Sequence, residues 1–192
     1  FLRQMHATDL KLARSSGLEH ADYAAHFDGL SKQVAQALWS KLCITERALV
    51  KRTIADLLES HGRARFRPAL LHGDLSPDHV LYDPDSASVM AVIDFGDMII
   101  GDPAWDFICI YEDYGPDFLF RALREYGPAD QVALLIRMHR LYLLGAIEWT
   151  VQLFEREAED AEASVAELIE TLEVQSSKLD ELLSNGLARE TS

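Results

Sequence analysis

The feature that most constrains this chain is a change of texture in its middle. Between long stretches of helical spacing lie three short apolar runs. They are Ala69-Leu70-Leu71-His72-Gly73-Asp74, His79-Val80-Leu81-Tyr82 and Ser88-Val89-Met90-Ala91-Val92-Ile93-Asp94-Phe95. Their length and the polar and turn residues that bound them read as short strands. The turn residues Asp83-Pro84-Asp85-Ser86 join the second run to the third as a hairpin. The first run ends in His72-Gly73-Asp74 and the third in Asp94-Phe95-Gly96. A hairpin-length connection allows these two ends to lie close together. Carboxylates gathered beside a glycine repel each other unless a cation or a substrate proton sits between them. A sequence that only builds a core avoids this arrangement.

The flanks read as helices. Gly29 to Ser40 is weakly periodic. After Thr45, read as an N-cap, Val50, Ile54, Leu57, Leu58 and His61 recur at helical spacing up to Gly62. Asp102-Pro103 reads as an N-cap followed by Pro at the first helical position. Further helices are expected over Asp117–Tyr126, Asp130–Glu155 and Glu159–Ser184. Val165, Leu168, Ile169, Leu172, Leu179, Leu182 and Leu183 form the apolar stripe of the last one. The acidic run Glu155–Glu162 reads as a solvated helix start. Val132–Phe154 is the longest apolar stretch, but Arg137, His139, Arg140 and Glu148 inside it make it a buried helix rather than a membrane span. Trp105, Phe107 and His139 read as core, and Asp97 as a cap.

Composition excludes several classes. With 48% hydrophobic residues, Gly 10 and Pro 6, the 192-residue chain is neither disordered nor collagen-like. It carries 18 Lys and Arg against 32 Asp and Glu, a net charge of -14, which argues against nucleic acid or an anionic membrane as partner and permits a cationic one. Two cysteines, Cys43 and Cys109, do not make a disulfide scaffold, so a reducing cytoplasm is expected. Cys109 has no base-like neighbour in sequence and is expected to be inert. No charged-then-apolar leader opens the chain, and a start at Phe1 without Met points to a fragment.

The two Asp-bearing segments, Leu71-His72-Gly73-Asp74-Leu75-Ser76-Pro77-Asp78-His79-Val80-Leu81 and Val92-Ile93-Asp94-Phe95-Gly96-Asp97, have the spacing of the kinase catalytic loop and its metal-binding partner. His79 takes the slot of the kinase Asn, five residues after Asp74. Only Asp97 to Gly101 separate Gly96 from Asp102-Pro103, which leaves no room for a peptide-docking segment. Gly73 replaces the Arg that reads a phosphorylated loop. Both differences favour a small-molecule hydroxyl as acceptor. Together with Gly101-Asp102-Pro103-Ala104-Trp105-Asp106-Phe107, the sequence resembles the aminoglycoside phosphotransferase family, closest in motif to its 2''-type and macrolide-type members.

That resemblance implies an α+β, mostly helical fold: a protein-kinase-like C-terminal lobe with a small β-hairpin insertion carrying the catalytic loop. It assigns 1–192 to this lobe, with helical segments 1–68 and 102–192 around a catalytic loop and hairpin at 69–101. Family members carry an N-terminal nucleotide lobe with a phosphate-binding Lys, and nothing here matches that lobe. By the same resemblance the activity is transfer of the γ-phosphate of ATP or GTP to a hydroxyl of an aminoglycoside-like cation. Asp74 would orient the acceptor hydroxyl and take its proton, Asp94 and His79 would hold Mg²⁺, His72 would support the loop, and Asp106 would accept its backbone N–H groups. Acceptor contacts are expected from Glu112, Asp113, Tyr114, Asp117, Glu148 and Trp149, carboxylates pairing with amines and the indole stacking on a sugar. Two other readings compete: a metal-dependent hydrolase using His72, Asp74, His79 and Asp94, and a non-catalytic small-molecule-binding lobe.

Overall fold

The computed structural model describes residues 1–190; positions 191–192 of the expected 1–192 span lie outside the described residues. The helices are α1 Leu2–His6, α2 Leu10–Ser15, α3 Tyr23–Ala37, α4 Ile44–Arg63, α5 Ile108–Tyr126, α6 Gln131–Glu155 and α7 Ala161–Glu190. The strands are β1 Ala69–Leu71, β2 Val80–Asp83, β3 Ser88–Val92 and β4 Ile99–Gly101. The fold is thus mostly helical with a small β insertion. The chain groups into two compact units, Phe1–Ala21 with Arg65–Met138, and Asp22–Ala64 with the residues from His139 on.

The first unit holds all four strands. β2 and β3 form the expected antiparallel hairpin, with Val80 opposite Val92 and an irregularity between Leu81 and Tyr82. β1 pairs antiparallel with β4, Leu71 opposite Ile99 and Ala69 opposite Gly101. On the far edge of β4, the Ala21 N–H donates to the Ile100 carbonyl at 2.9 Å and the Ile100 N–H donates to the Glu19 carbonyl at 3.0 Å. Leu71, Ile100, Phe107, Leu119, Leu123, Leu135 and Met138 are fully buried. Each such side chain contributes roughly 1.5–3 kcal/mol of transfer free energy. They anchor the strand ends from which the polar loops emerge.

Two local elements differ from the sequence expectation. Asp102 does not start an α-helix. Its Oδ1 accepts the Ala104 N–H at 3.0 Å in a tight turn, a 3₁₀ segment Trp105–Phe107 follows, and α5 begins at Ile108. α5 also starts nine residues before the expected Asp117 and is kinked at Gly115, φ 77°, just before Pro116. Gly supplies the left-handed conformation, and Pro116 opens the second segment where its missing N–H costs nothing.

In the second unit, α3, α4 and α7 and the rest of α6 pack through Leu30, Val34, Val50, Leu57, Leu144, Ile147, Leu168 and Leu172. The N-cap of α4 is Cys43, not Thr45. The Glu46 carboxylate, three residues on, accepts the Cys43 N–H at 2.6 Å. Leu58, expected in the apolar face, is 44% exposed, whereas Val50, Ile54 and Leu57 are buried. His139 is buried in α6, as expected for a core residue, but its Nε2 finds no hydrogen-bond partner among the described residues. Burial lowers its pKa. No helix among the described residues is long and apolar enough to cross a membrane.

Candidate active site

The site lies wholly in the first unit, and one buried carboxylate organises it. Asp106, in the 3₁₀ segment before α5, is 1% exposed. Its Oδ2 accepts the His72 N–H at 2.9 Å and its Oδ1 accepts the Gly73 N–H at 3.0 Å. Charge-assisted bonds to two successive amides fix the backbone as it leaves β1. The adjacent Trp105 Nε1–H donates to the Gly73 carbonyl at 2.9 Å. Amides and carbonyl of the His72-Gly73 turn are therefore held from one short segment. Gly73 itself has φ 90°, and a Cβ there would fall 2.2 Å from the Asp97 carbonyl oxygen.

His72 is fully buried and joins the two loops. Its Nε2 lies 3.0 Å from the Ile93 carbonyl, and its Nδ1 lies 3.4 Å from the Asp74 N–H. Those partners call for a proton on Nε2 and a lone pair on Nδ1. The ring also packs against Phe95 at 4.9 Å. Loop and strand end are thereby bound to each other just where their Asp residues project.

Asp74, His79 and Asp94 come together. His79 follows the 3₁₀ turn that starts at Pro77, and its Nδ1 donates to the Asp74 carbonyl oxygen at 2.7 Å. The same Nδ1 lies 3.6 Å from Asp74 Oδ2, and Nε2 lies 3.5 Å from Asp94 Oδ2. The imidazole is thus inserted between two carboxylates. The Asp74 carbonyl bond and the charges of Asp74, Asp94 and Asp78 raise the His79 pKa above its ordinary value. The Asp74 and Asp94 side chains are 46% and 61% exposed, open to an incoming ligand. Asp94 holds φ 60°, a left-handed conformation uncommon for a non-glycine residue, with its Oδ1 3.4 Å from the Gly96 N–H. Strain of this kind concentrates where a side chain must be aimed.

The donor set fits a divalent cation. With its Nδ1–H held by the Asp74 carbonyl, His79 would give up an Nε2 proton to a cation and offer it a lone pair beside Asp94 Oδ2, 3.5 Å away. One carboxylate and one imidazole leave most of a Mg²⁺ shell for phosphate oxygens and water, which is how this ion is usually held beside nucleotides. Among the described residues, no group of three or more His, Cys, Asp or Glu is placed to enclose a metal. Both His72 nitrogens face protein partners, so the hydrolase reading loses one of its four ligands.

Of the expected acceptor residues, Glu112, Asp113 and Tyr114 lie on α5 before its kink and Asp117 after it. Partial desolvation, with the neighbouring Asp113 charge, raises the Glu112 pKa. Tyr114 is 42% exposed and stacks on Phe118 at 4.8 Å. Glu148 and Trp149 belong to the second unit, where Glu148 ion-pairs with His26 and Trp149 is 54% exposed. Sequence reading missed three supporting residues. Trp105 reads as core from the sequence, yet its indole N–H reaches Gly73. His6 Nε2 lies 2.9 Å from Asp106 Oδ2 and its Nδ1 lies 2.9 Å from the Tyr126 hydroxyl, contacts that span 100 and 120 residues and leave no local signal.

A mostly helical lobe bearing a His-Gly-Asp loop after β1 and an Asp-Phe-Gly loop after β3 defines a kinase-like phosphotransferase fold. The chain belongs to the phosphotransferase enzyme family, whose profile matches residues 1–144. No curated protein matches it. Among solved structures, the GDP and kanamycin complex of APH(2")-IIia is similar at 24% identity and a TM-score of 0.79, over 91% of this chain and 59% of that one. ADP-bound aminoglycoside phosphotransferase APH(2'')-Ib is similar at 23% identity and a TM-score of 0.68, over 91% and 61%. Macrolide 2'-phosphotransferase type I is similar at 19% identity and a TM-score of 0.64, over 87% and 56%. The chain therefore spans about three fifths of the length of these structures.

Proposed function

We propose that residues 1–192 form the catalytic and acceptor-binding lobe of a nucleotide-dependent phosphotransferase acting on a hydroxyl of an aminoglycoside-like cation. The observation that carries this reading is the placement of His79 between Asp74 and Asp94, 3.6 and 3.5 Å away, on loops tied down by Asp106 and His72. Asp74 is the base. It accepts a hydrogen bond from the acceptor hydroxyl, orients its lone pair, and takes its proton as the new O–P bond forms. The bond from the γ-phosphorus to the bridging oxygen breaks, and ADP or GDP leaves. Asp94 and His79 would hold Mg²⁺, which supplies charge neutralisation at the donor phosphates. His72 and Asp106 position Asp74 without touching substrate.

The acidic surface of α5, with Glu112, Asp113 and Asp117, suits an acceptor carrying protonated amines, and Tyr114 offers a ring face for a sugar. Glu148 and Trp149 belong to the second unit, where His26 already engages Glu148. Kanamycin in one similar structure makes such an acceptor the first to assay. Two free thiols, Cys43 and Cys109, fit a reducing cytoplasm. The test is phosphate transfer from ATP and from GTP to kanamycin and gentamicin by the full-length protein. Product formation with either donor supports the reading. Aminoglycoside binding with no transfer from either donor would favour a non-catalytic lobe instead.

A further inference from the structure

On the first unit, at the start of β1, residues Arg65–Ala69, the end of α5 and the start of α6 line an open cleft of about 460 Å³. Asp74 follows the other end of the same strand, so the cleft is separate from the site above. Its volume falls in the range of small-molecule pockets.

Its charge runs against that of the chain. Arg3, Arg65, Arg67 and Arg137 all line it. Arg137 is fixed, with Nε donating to buried Asp102 at 2.8 Å and the guanidinium 5.7 Å from the centre of the Phe66 ring. Arg3, Arg65 and Arg67 are exposed, and their side chains make no ion pair or hydrogen bond among the described residues. One carboxylate, Asp130, lines the cleft, and its Oδ1 already accepts the Ala133 N–H at 2.9 Å to cap α6. In a chain with 32 acidic and 18 basic residues, three unpaired guanidiniums line one cleft whose single carboxylate caps a helix. Guanidinium matches phosphate oxygens in a planar, two-pronged fashion. Phe66 and Tyr126 add aromatic surface beside the charges.

We propose that this cleft binds a small organic molecule carrying two phosphate groups, the phosphates on Arg65, Arg67 and Arg3 and the body against Phe66 and Tyr126. The ligand is distinct from the phosphate donor, and its binding does not require the phosphotransfer reading to hold.

The experiment is calorimetric titration of the full-length protein with glucose 1,6-bisphosphate and with inorganic pyrophosphate. EDTA keeps divalent cations from drawing phosphate to Asp94. Saturable one-site binding is expected, tighter for the bisphosphate. The double variant Arg65→Gln/Arg67→Gln should weaken it on the order of a hundredfold, tenfold for each charged partner. Arg3→Gln should weaken it on the order of tenfold, and Asp74→Asn should leave it unchanged. Both arginines of the double variant are exposed, so its thermal melt should match that of the parent chain. If that variant nonetheless melts early, Arg3→Gln decides. No saturation at millimolar ligand, or undiminished affinity in folded variants, overturns the site. Equal affinity for the two probes overturns the organic body and leaves a bare phosphate cleft.

Discussion

Gly73 and Asp97 touch backbone to backbone. A Cβ at position 73 would sit 2.2 Å from the Asp97 carbonyl oxygen, with Gly73 at φ 90°. The residue between His72 and Asp74 therefore sets how close the two Asp-bearing loops approach. In a peptide-docking kinase this position carries an Arg; here a side chain does not fit.

Gly73→Ala should force the loops apart and strain the backbone, at a cost of at least about 2 kcal/mol. For a chain of this size that is a fall of roughly 4–8 °C in the melting temperature. Phosphate transfer should fall in parallel, because Asp74 follows directly. A melt and an activity unchanged from the parent would refute the close contact.

His6→Ala should leave Asp106 without one of its three hydrogen-bond partners and the Tyr126 hydroxyl without its ring nitrogen. Burying such groups unpaired costs about 1–3 kcal/mol. Hydrogen exchange at the His72 and Gly73 amides should accelerate in the variant, since the carboxylate that holds them is less constrained. Exchange at parent rates would show that His6 does not support the loop.

How much of this was legible in the sequence depends on how far apart the partners are. The β2–β3 hairpin could be read because its turn residues and apolar runs are adjacent, and the Asp74, His79 and Asp94 set could be read from fixed offsets. β4 could not: Ile99–Gly101 is three residues long, and it is a strand only because β1 lies beside it some thirty residues away. Asp102 looks like a helix cap locally, but Arg137 from α6 engages its other oxygen. The Cys43 cap of α4 was missed because Thr45 is the better capping type, while the Glu46 carboxylate fixes the start two residues earlier. Supporting roles for His6 and Trp105 depend on tertiary geometry that periodicity does not encode.

The two cysteines should differ in reactivity. Burial, with Glu112 and other nearby carboxylates, pushes the Cys109 thiol up to about 12, whereas Cys43 is exposed. Only the thiolate reacts with alkylating reagents. Iodoacetamide at pH 8 followed by peptide mass analysis should modify Cys43 at least about tenfold faster than Cys109. Comparable rates would contradict the burial of Cys109 among these carboxylates.

The His26–Glu148 pair should make a small contribution to stability that depends on pH. The hydrogen bond to Glu148 raises the His26 pKa above 6.5 despite partial burial. Folded His26 thus holds its proton more tightly than unfolded His26. The contribution is fully present below pH 6.5 while Glu148 stays ionised, and it is lost as pH rises through the raised folded value. With the His26 side chain 45% exposed, solvent screening keeps it below about 1 kcal/mol. Glu148→Gln should flatten the stability curve from pH 6 to 8. A curve of unchanged slope would show that the pair is not coupled to folding.

The central claim is that Asp74 takes the acceptor proton, and Asp74→Asn tests it most directly. The amide keeps the shape and leaves the backbone carbonyl that holds His79, so the loop should stay in place. In full-length protein with ATP or GTP and a kanamycin-type acceptor, kcat should fall roughly 10²–10⁴-fold, as expected for loss of a general base, while acceptor KM changes little. A variant that turns over at close to the parent rate would contradict the account.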